Sequence, residues 1–267
     1  MDSFRAAALQ MVSEPSVDAN VAAADALITE AASAGARLVT LPENWSFMGR
    51  GEHDKLAVRE ADGGGPAQDL LSRAAKRHGI WIVGGSIPME CGDADKVANV
   101  CLVFDNAGRR VARYDKIHLF GFQRGDERYD EAASVAPGRE PVAVDTPMGR
   151  IGLSICYDLR FPELYRSFGA VDLITVPSAF TYTTGSAHWE TLLRARAIEN
   201  LAWVIAPAQG GTHASGRRTW GHTMIVDPWG TVKAELPEGP GVIVADIDPA
   251  FQGEARASLP ALRHRVL

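Results

Sequence analysis

The stretch Arg150-Ile151-Gly152-Leu153-Ser154-Ile155-Cys156-Tyr157-Asp158-Leu159-Arg160-Phe161-Pro162-Glu163 decides the fold. Its apolar half reads as a buried strand, and Pro162 is placed to open a helix. A strand that delivers a thiol to its tip and then turns sharply into a helix is how α/β enzymes present a nucleophile. Taken alone, Cys156 reads as a small buried hydrophobe, the role of most free cysteines. Its meaning depends on what the rest of the chain brings to it.

Outward from that stretch, strands and helices alternate. Phe4 to Val12 is apolar, and Ser16 to Ala34 carries Val17, Val21, Ala24, Ile28 and Ala31 on one helical face, with Gly35 set to end it. Arg37 to Leu41 reads as a short strand closed by Pro42-Glu43. Pro66 opens a second helix that buries Leu70, Leu71, Ala74 and Ala75 before Gly79, and Ile80 to Ile87 follows as a strand. Beyond Cys156 come a helix from about Pro162 to Phe168, a strand Val171–Pro177, a helix Ala187–Asn200 and a strand Ala202–Pro207. Such alternation implies a sheet with right-handed crossovers, while residues 44–64, 121–134 and 181–186 read as loops.

Two segments break the alternation. Val97–Phe104 and Arg109–Tyr114 flank Asp105-Asn106-Ala107-Gly108, while Thr223–Val226 and Thr231–Glu235 flank Asp227-Pro228-Trp229-Gly230. Both linkers are four-residue turns of hairpin type ending in Gly, and they hint at two equivalent halves. No Ser/Gly-rich linker or shift in composition divides the 267 residues, so one domain spanning 1–267 is expected, with more strands than one sheet comfortably holds.

Composition bounds the function. With 27 basic and 33 acidic residues the formal net charge is −6, and no basic cluster interleaved with aromatics occurs, which argues against nucleic acid. The 3 cysteines, Cys91, Cys101 and Cys156, are odd in number and widely spaced, which predicts a reducing, cytoplasmic setting without a disulfide framework. No short pair of metal-ligand spacing appears, so no metal or cofactor is expected. No membrane-spanning run is present either.

Three residues just past predicted strands could converge: Glu43 after Leu41-Pro42, Lys116 in Tyr114-Asp115-Lys116-Ile117-His118-Leu119, and Cys156. Singly, a Glu after Pro is a solvated carboxylate and a Lys at a strand exit is a surface charge. Together they make a complete chemistry. A thiol is only a few per cent ionised at neutral pH and needs a base as it attacks, which Glu43 could supply. An ammonium from Lys116 and the backbone N–H of Tyr157 could stabilise the resulting oxyanion.

This combination resembles the nitrilase, or carbon–nitrogen hydrolase, superfamily. Pro177-Ser178-Ala179-Phe180, Ala187-His188-Trp189-Glu190, Leu193 to Asn200 and Gly221-His222 through Gly230 look like its Nit branch of amidases, so the likeness runs from about residue 4 to the 260s. The resemblance implies a four-layer αββα sandwich of two mixed sheets flanked by helices, and a homodimer or larger assembly. It implies Glu43 as general base, Lys116 as oxyanion stabiliser and Cys156 as the residue that forms a thioester. It also implies a second glutamate; Glu131 in Asp130-Glu131-Ala132 fits best, with Glu127 as competitor. The implied substrate is a small-molecule amide, foremost deaminated glutathione, with Arg160 meeting an acidic end and Tyr157, Phe180 and Thr184 lining the pocket.

Plainer roles stand beside these. Arg160 could pair with Glu163 at i,i+3, Phe180 could be core, and Glu190 and Arg194 have i,i+4 spacing. His188 and His222 read as core or supporting histidines. Ser154 mimics a nucleophile elbow but falls inside the predicted strand. Rival functions are a general ω-amidase, carbamoylase or nitrilase, an acyltransferase, and a noncatalytic binding protein of the same fold.

Overall fold

The computed structural model describes residues 2–266. The strands are β1 (Phe4–Gln10), β2 (Leu38–Thr40), β3 (Trp81–Val83), β4 (Ile87–Met89), β5 (Val97–Phe104), β6 (Arg110–Asp115), β7 (Gly121–Arg124) and β8 (Glu127–Asp130). They continue as β9 (Val135–Ala136), β10 (Ala143–Thr146), β11 (Gly149–Leu153), β12 (Leu173–Thr175), β13 (Trp203–Ala206), β14 (Thr223–Val226), β15 (Val232–Leu236) and β16 (Gly241–Ile247). The helices are α1 (Val17–Ser33), α2 (Pro66–His78), α3 (Pro162–Ser167), α4 (Tyr182–Asn200) and α5 (Pro249–Ser258).

Two mixed sheets form. One runs β16-β1-β2-β3-β5, with β4, β6 and β9 also on β5; the other runs β10-β11-β12-β13-β14-β15. Alternation along β1 shows the layering: Phe4, Ala6 and Ala8 enter the core shared with Ile151 and Leu153 of the second sheet. Ala7 and Leu9 point the other way, into the cluster formed with Ile28 of α1 and Leu71 of α2. Period-2 side-chain direction thus feeds two cores from one strand. On the far side, Leu193 and Ala197 of α4 pack on the second sheet, completing the expected αββα sandwich.

The two sheets repeat one topology. In the first, β1, β2 and β3 are parallel and flanked by antiparallel β16 and β5; in the second, β11, β12 and β13 are parallel and flanked by antiparallel β10 and β14. The sequence repeats with it, since Leu38-Val39-Thr40-Leu41-Pro42-Glu43 matches Leu173-Ile174-Thr175-Val176-Pro177-Ser178. The paired hairpins agree atom for atom. Asp105 Oδ1 accepts the N–H of Ala107 and Arg109, each at 2.9 Å, and Asp227 Oδ1 accepts those of Trp229 and Thr231, each at 2.9 Å.

Three expectations need correction. The strand predicted over Ile80–Ile87 is two strands broken at Gly84-Gly85, because the chain there presses on the corner before Glu43. A Cβ on Gly85 (φ 59°) would lie 2.1 Å from the carbonyl oxygen of Pro42. Helix α4 starts at Tyr182 rather than Ala187; Thr181 Oγ1 caps it by accepting the N–H of Thr184 at 3.3 Å, which offsets the poor helix propensity of Thr183, Thr184 and Gly185. Residues 121–130, read as a loop, form the β7–β8 hairpin, which Glu127 Oε2 fastens to α4 by accepting the Thr183 hydroxyl at 2.7 Å. Among the described residues no helix is long and apolar enough to cross a membrane.

Candidate active site

The C-terminal ends of β2, β6 and β11 deliver side chains into the seam between the sheets. Beyond β2, Pro42 turns the chain so that Glu43 is buried, and the next residue, Asn44, takes a left-handed φ of 54°. Beyond β11, Cys156 sits at φ 50° at the head of a 3₁₀ turn over Cys156–Arg160, and α3 follows at Pro162. Left-handed backbone at a residue other than Gly costs about 1–3 kcal/mol and is held only by its surroundings. Here the Cys156 N–H donates to the Pro177 carbonyl at 2.8 Å. Lys116 follows β6 and is buried.

The carboxylate of Glu43 is held on both oxygens. Oε1 accepts from Lys116 Nζ at 2.8 Å and from Asn99 Nδ2 at 3.1 Å, and Oε2 accepts the Ala179 N–H at 2.9 Å. Lys116 Nζ also donates to Glu131 at 3.0 Å (Oε1) and 2.8 Å (Oε2), and Glu131 Oε2 accepts the Phe120 N–H at 2.7 Å. Glu131 therefore stands beside the lysine, whereas Glu127 serves the hairpin. Burial by itself would lower the lysine's pKa; the carboxylates of Glu131 and Glu43 outweigh it and raise the pKa well above the usual ammonium value. Burial would lift Glu131, yet Lys116 and the Phe120 N–H hold it below the usual carboxylate range. Burial and the neighbouring Glu43 push the Cys156 thiol well up, against the pull of Lys116. The resting group is a neutral thiol next to a carboxylate and an ammonium, so attack requires that the proton leave as the bond forms.

These residues face a cleft of about 510 Å³, measured to its open mouth. Tyr157, Arg160, Phe180 and Thr184 all line it. Arg160 makes no ion pair with Glu163; its Nη1 lies 3.2 Å from His188 Nδ1 and its guanidinium stands 5.3 Å over the Phe180 ring and 5.7 Å over Tyr157. Phe180 is both wall and core, packing on Trp189 at 4.9 Å between ring centroids. The Thr184 hydroxyl is 2.9 Å from that of Thr181, inside the helix cap. His188 is exposed rather than core, because α4 turns that face outward, and His222 is half-buried, stacked on Trp220 at 4.1 Å. Glu190 and Arg194 do pair, at 3.1 Å. Ser154 is fully buried, donating to the Thr175 carbonyl at 2.8 Å and accepting from Tyr165 at 2.9 Å.

Sequence reasoning missed Asn99, Asp158, Ala179, Tyr129 and Arg217. Asn99 had a signal: a lone amide inside the wholly buried run Val97–Phe104. It bridges Glu43 and Glu131, at 3.1 and 3.3 Å, while its Oδ1 has no partner.

The carbon-nitrogen hydrolase family profile matches residues 5–257, and the chain belongs to that family, whose members hydrolyse carbon–nitrogen bonds. A deaminated glutathione amidase from Synechocystis sp. is 44% identical over 100% of this chain and 99% of its own length. A chloroplastic omega-amidase from Arabidopsis thaliana is 40% identical over 92% of this chain and 68% of its own. The crystal structure of Nit3 from Saccharomyces cerevisiae, a member of branch 10 of the nitrilase superfamily, superposes with a TM-score of 0.90 at 29% identity, covering 100% of this chain and 97% of that one. The chain is thus an amide-hydrolysing enzyme of the nitrilase superfamily.

Proposed function

We propose that the protein hydrolyses deaminated glutathione to 2-oxoglutarate and cysteinylglycine through a thioester on Cys156. One observation carries the mechanism: the thiol lies among the Glu43–Lys116–Glu131 cluster, which holds a base and a permanent cation side by side. Glu43 takes the thiol proton as sulfur attacks the amide carbon. The oxyanion is met by the Lys116 ammonium and the Tyr157 N–H, which lies at the start of a 3₁₀ turn where the first N–H groups lack helical partners. Glu43 then gives its proton to the leaving amine. Water enters, loses a proton to Glu43 and attacks the thioester; collapse returns the proton to the thiol. Glu131 and Asn99 keep the lysine and the base in place.

Arg160 supports an anionic acyl group, since it lines the cleft without a carboxylate partner among the described residues and a guanidinium can fork onto a carboxylate. The likeness to an omega-amidase supports a second reading, release of ammonia from 2-oxoglutaramate. The noncatalytic reading has no support in a cluster that buries an ammonium beside two carboxylates at such cost.

The test is release of 2-oxoglutarate from deaminated glutathione, with Cys156→Ala as control. Wild type should turn over and the variant should lose about four orders of magnitude. Faster turnover of 2-oxoglutaramate would favour the second reading, and retained activity in Cys156→Ala would remove the thioester. We further infer a cytoplasmic homo-oligomer. Free thiols support the compartment, and the exposed Ile198, Trp229 and Phe251 support the assembly.

A further inference from the structure

We infer that Arg217 and Lys55 form a second anion subsite, which binds a carboxylate on the leaving amine. The inference rests on the thiol amidase reading and adds to it the residues that meet the charge of the leaving group.

Two guanidinium groups line the cleft, and among the described residues neither has a carboxylate within 4.0 Å: Arg160 and Arg217. They stand in different surroundings. Arg160 belongs to the wall of Tyr157 and Phe180. Arg217 is tied to the segment that positions the base. Ala179 donates its N–H to Glu43 Oε2 at 2.9 Å, and its carbonyl accepts from Arg217 Nη2 at 2.8 Å. The guanidinium stands 5.0 Å over the Tyr129 ring, and its buried Nε–H has no partner. Its Nη1 makes no hydrogen bond among the described residues and is not buried, so an arriving carboxylate can take it. Lys55 adds a second cation, with the exposed Glu52 at 3.4 Å and Glu131 within reach of its charge.

Position assigns the role. The cleft opens into a second groove, and the two share Asn44, Glu52, Lys55, Tyr129 and Arg217; the groove adds Arg50, while Arg160 does not line it. Because Glu43 must hand its proton to the departing nitrogen, the leaving amine lies on the side of Glu43 and of Asn44, the next residue. That is the side of the second groove. The acyl group then extends toward Arg160, and a peptide-like leaving group extends past Arg217 and Lys55. Cysteinylglycine, with a carboxylate a few bonds beyond its amino nitrogen, is such a group; ammonia is not.

The experiment compares kcat/KM for 2-oxoglutaryl amides of cysteinylglycine, cysteinylglycinamide and ammonia in wild type, Lys55→Met and Arg217→Met. Wild type should prefer the carboxylate to the carboxamide by about tenfold or more, the worth of one charge-assisted hydrogen bond. Each variant should collapse that preference toward unity. The ratio is internal to each protein, so general loss of folded enzyme does not move it, and Lys55→Met tests the subsite without touching Ala179. Equal rates on carboxylate and carboxamide in wild type, or a preference unchanged in both variants, would overturn the inference. If no 2-oxoglutaryl amide is cleaved, the substrate proposed above fails. The same leaving-group pair is then read on whichever acyl group is cleaved. If none is cleaved, alanylglycine and alanylglycinamide are compared for protection of Cys156 against iodoacetamide, and equal protection by the two overturns the subsite.

Discussion

Asp158 accepts a 2.7 Å hydrogen bond from the hydroxyl of Tyr114, and through it the strand that leads to Lys116 is fastened to the turn that carries Cys156. The fully buried carboxylate is saturated. It also accepts the Ile155 N–H at 2.8 Å, the His118 N–H at 3.0 Å and His118 Nδ1–H at 2.7 Å. One side chain thus ties together the segments that carry Lys116 and Cys156.

Replacing Asp158 by Asn puts an NH2 where only donors point. We expect a loss of about 3 kcal/mol in stability and a melting temperature lowered by roughly 6–12 °C, with kcat down at least about tenfold because Lys116 and Cys156 lose their common reference. Tyr114→Phe removes one of the four bonds and should cost about 1 kcal/mol. Melting curves and single-turnover rates check both; an Asp158→Asn protein that melts like wild type would sink the idea.

The two candidate glutamates separate cleanly. Glu131→Gln leaves a buried ammonium with one carboxylate instead of two and should reduce kcat by about 100-fold or more. Glu127→Gln only weakens the tie between hairpin and α4 and should change kcat less than about fivefold, within the range of a single modest hydrogen bond. Steady-state kinetics of the two proteins decide this, and the reverse order would reassign the second glutamate.

Stability should fall at both ends of the pH scale. Glu131 is held below the usual carboxylate range, so its contribution is present above its unfolded value of about 4.3 and is lost as pH falls through its folded value. Cys156 and Lys116 are raised, so theirs are complete below unfolded values of about 8.5 and 10.4 and vanish as pH rises through the folded ones. Thermal melts should therefore plateau between about pH 5 and 8, and Glu131→Gln should flatten the acid limb. An acid limb identical in the two proteins would count against this assignment.

Gly85→Ala drives a methyl group into the Pro42 carbonyl at a left-handed φ of 59°, and should cost about 3 kcal/mol and displace Glu43. Gly79 has a similar φ of 65° but open space around it, so Gly79→Ala is the control, losing about 1 kcal/mol and no kcat. Paired melts and kinetics distinguish crowding at the base from backbone strain alone.

Much of this site was legible because strand ends are legible. Short apolar runs stopped by Pro42 or by a turn announce where a chain exits a sheet, and Glu43, Lys116 and Cys156 all sit at such exits. Asp158 was not, since an acid in the first turn after Cys156 reads as an ordinary N-terminal carboxylate; only the fold brings Tyr114 and His118 to it. Arg217 lies in a Gly- and Ser-containing loop with no period, and nothing local says that Ala179 lies beside it. The 121–130 hairpin was hidden because Gln123, Arg124, Glu127 and Arg128 lack strand propensity. The hold of Glu127 on Thr183 compensates.

The repeated topology has a consequence for how the chemistry can fail. Glu43 ends the copy Leu38–Glu43, and its counterpart in Leu173–Ser178 is Ser178, so the duplicated corner kept an acid on one side only. Glu43 comes from one half, the thiol from the other, and the Ala179 N–H that reaches Glu43 crosses between them. Neither half owns an active site; it exists only where the two copies meet. Small-to-large changes in the shared core, at Ala6 or Ala8, should therefore act as wedges that separate acid from sulfur. Turnover would be extinguished before either half comes apart.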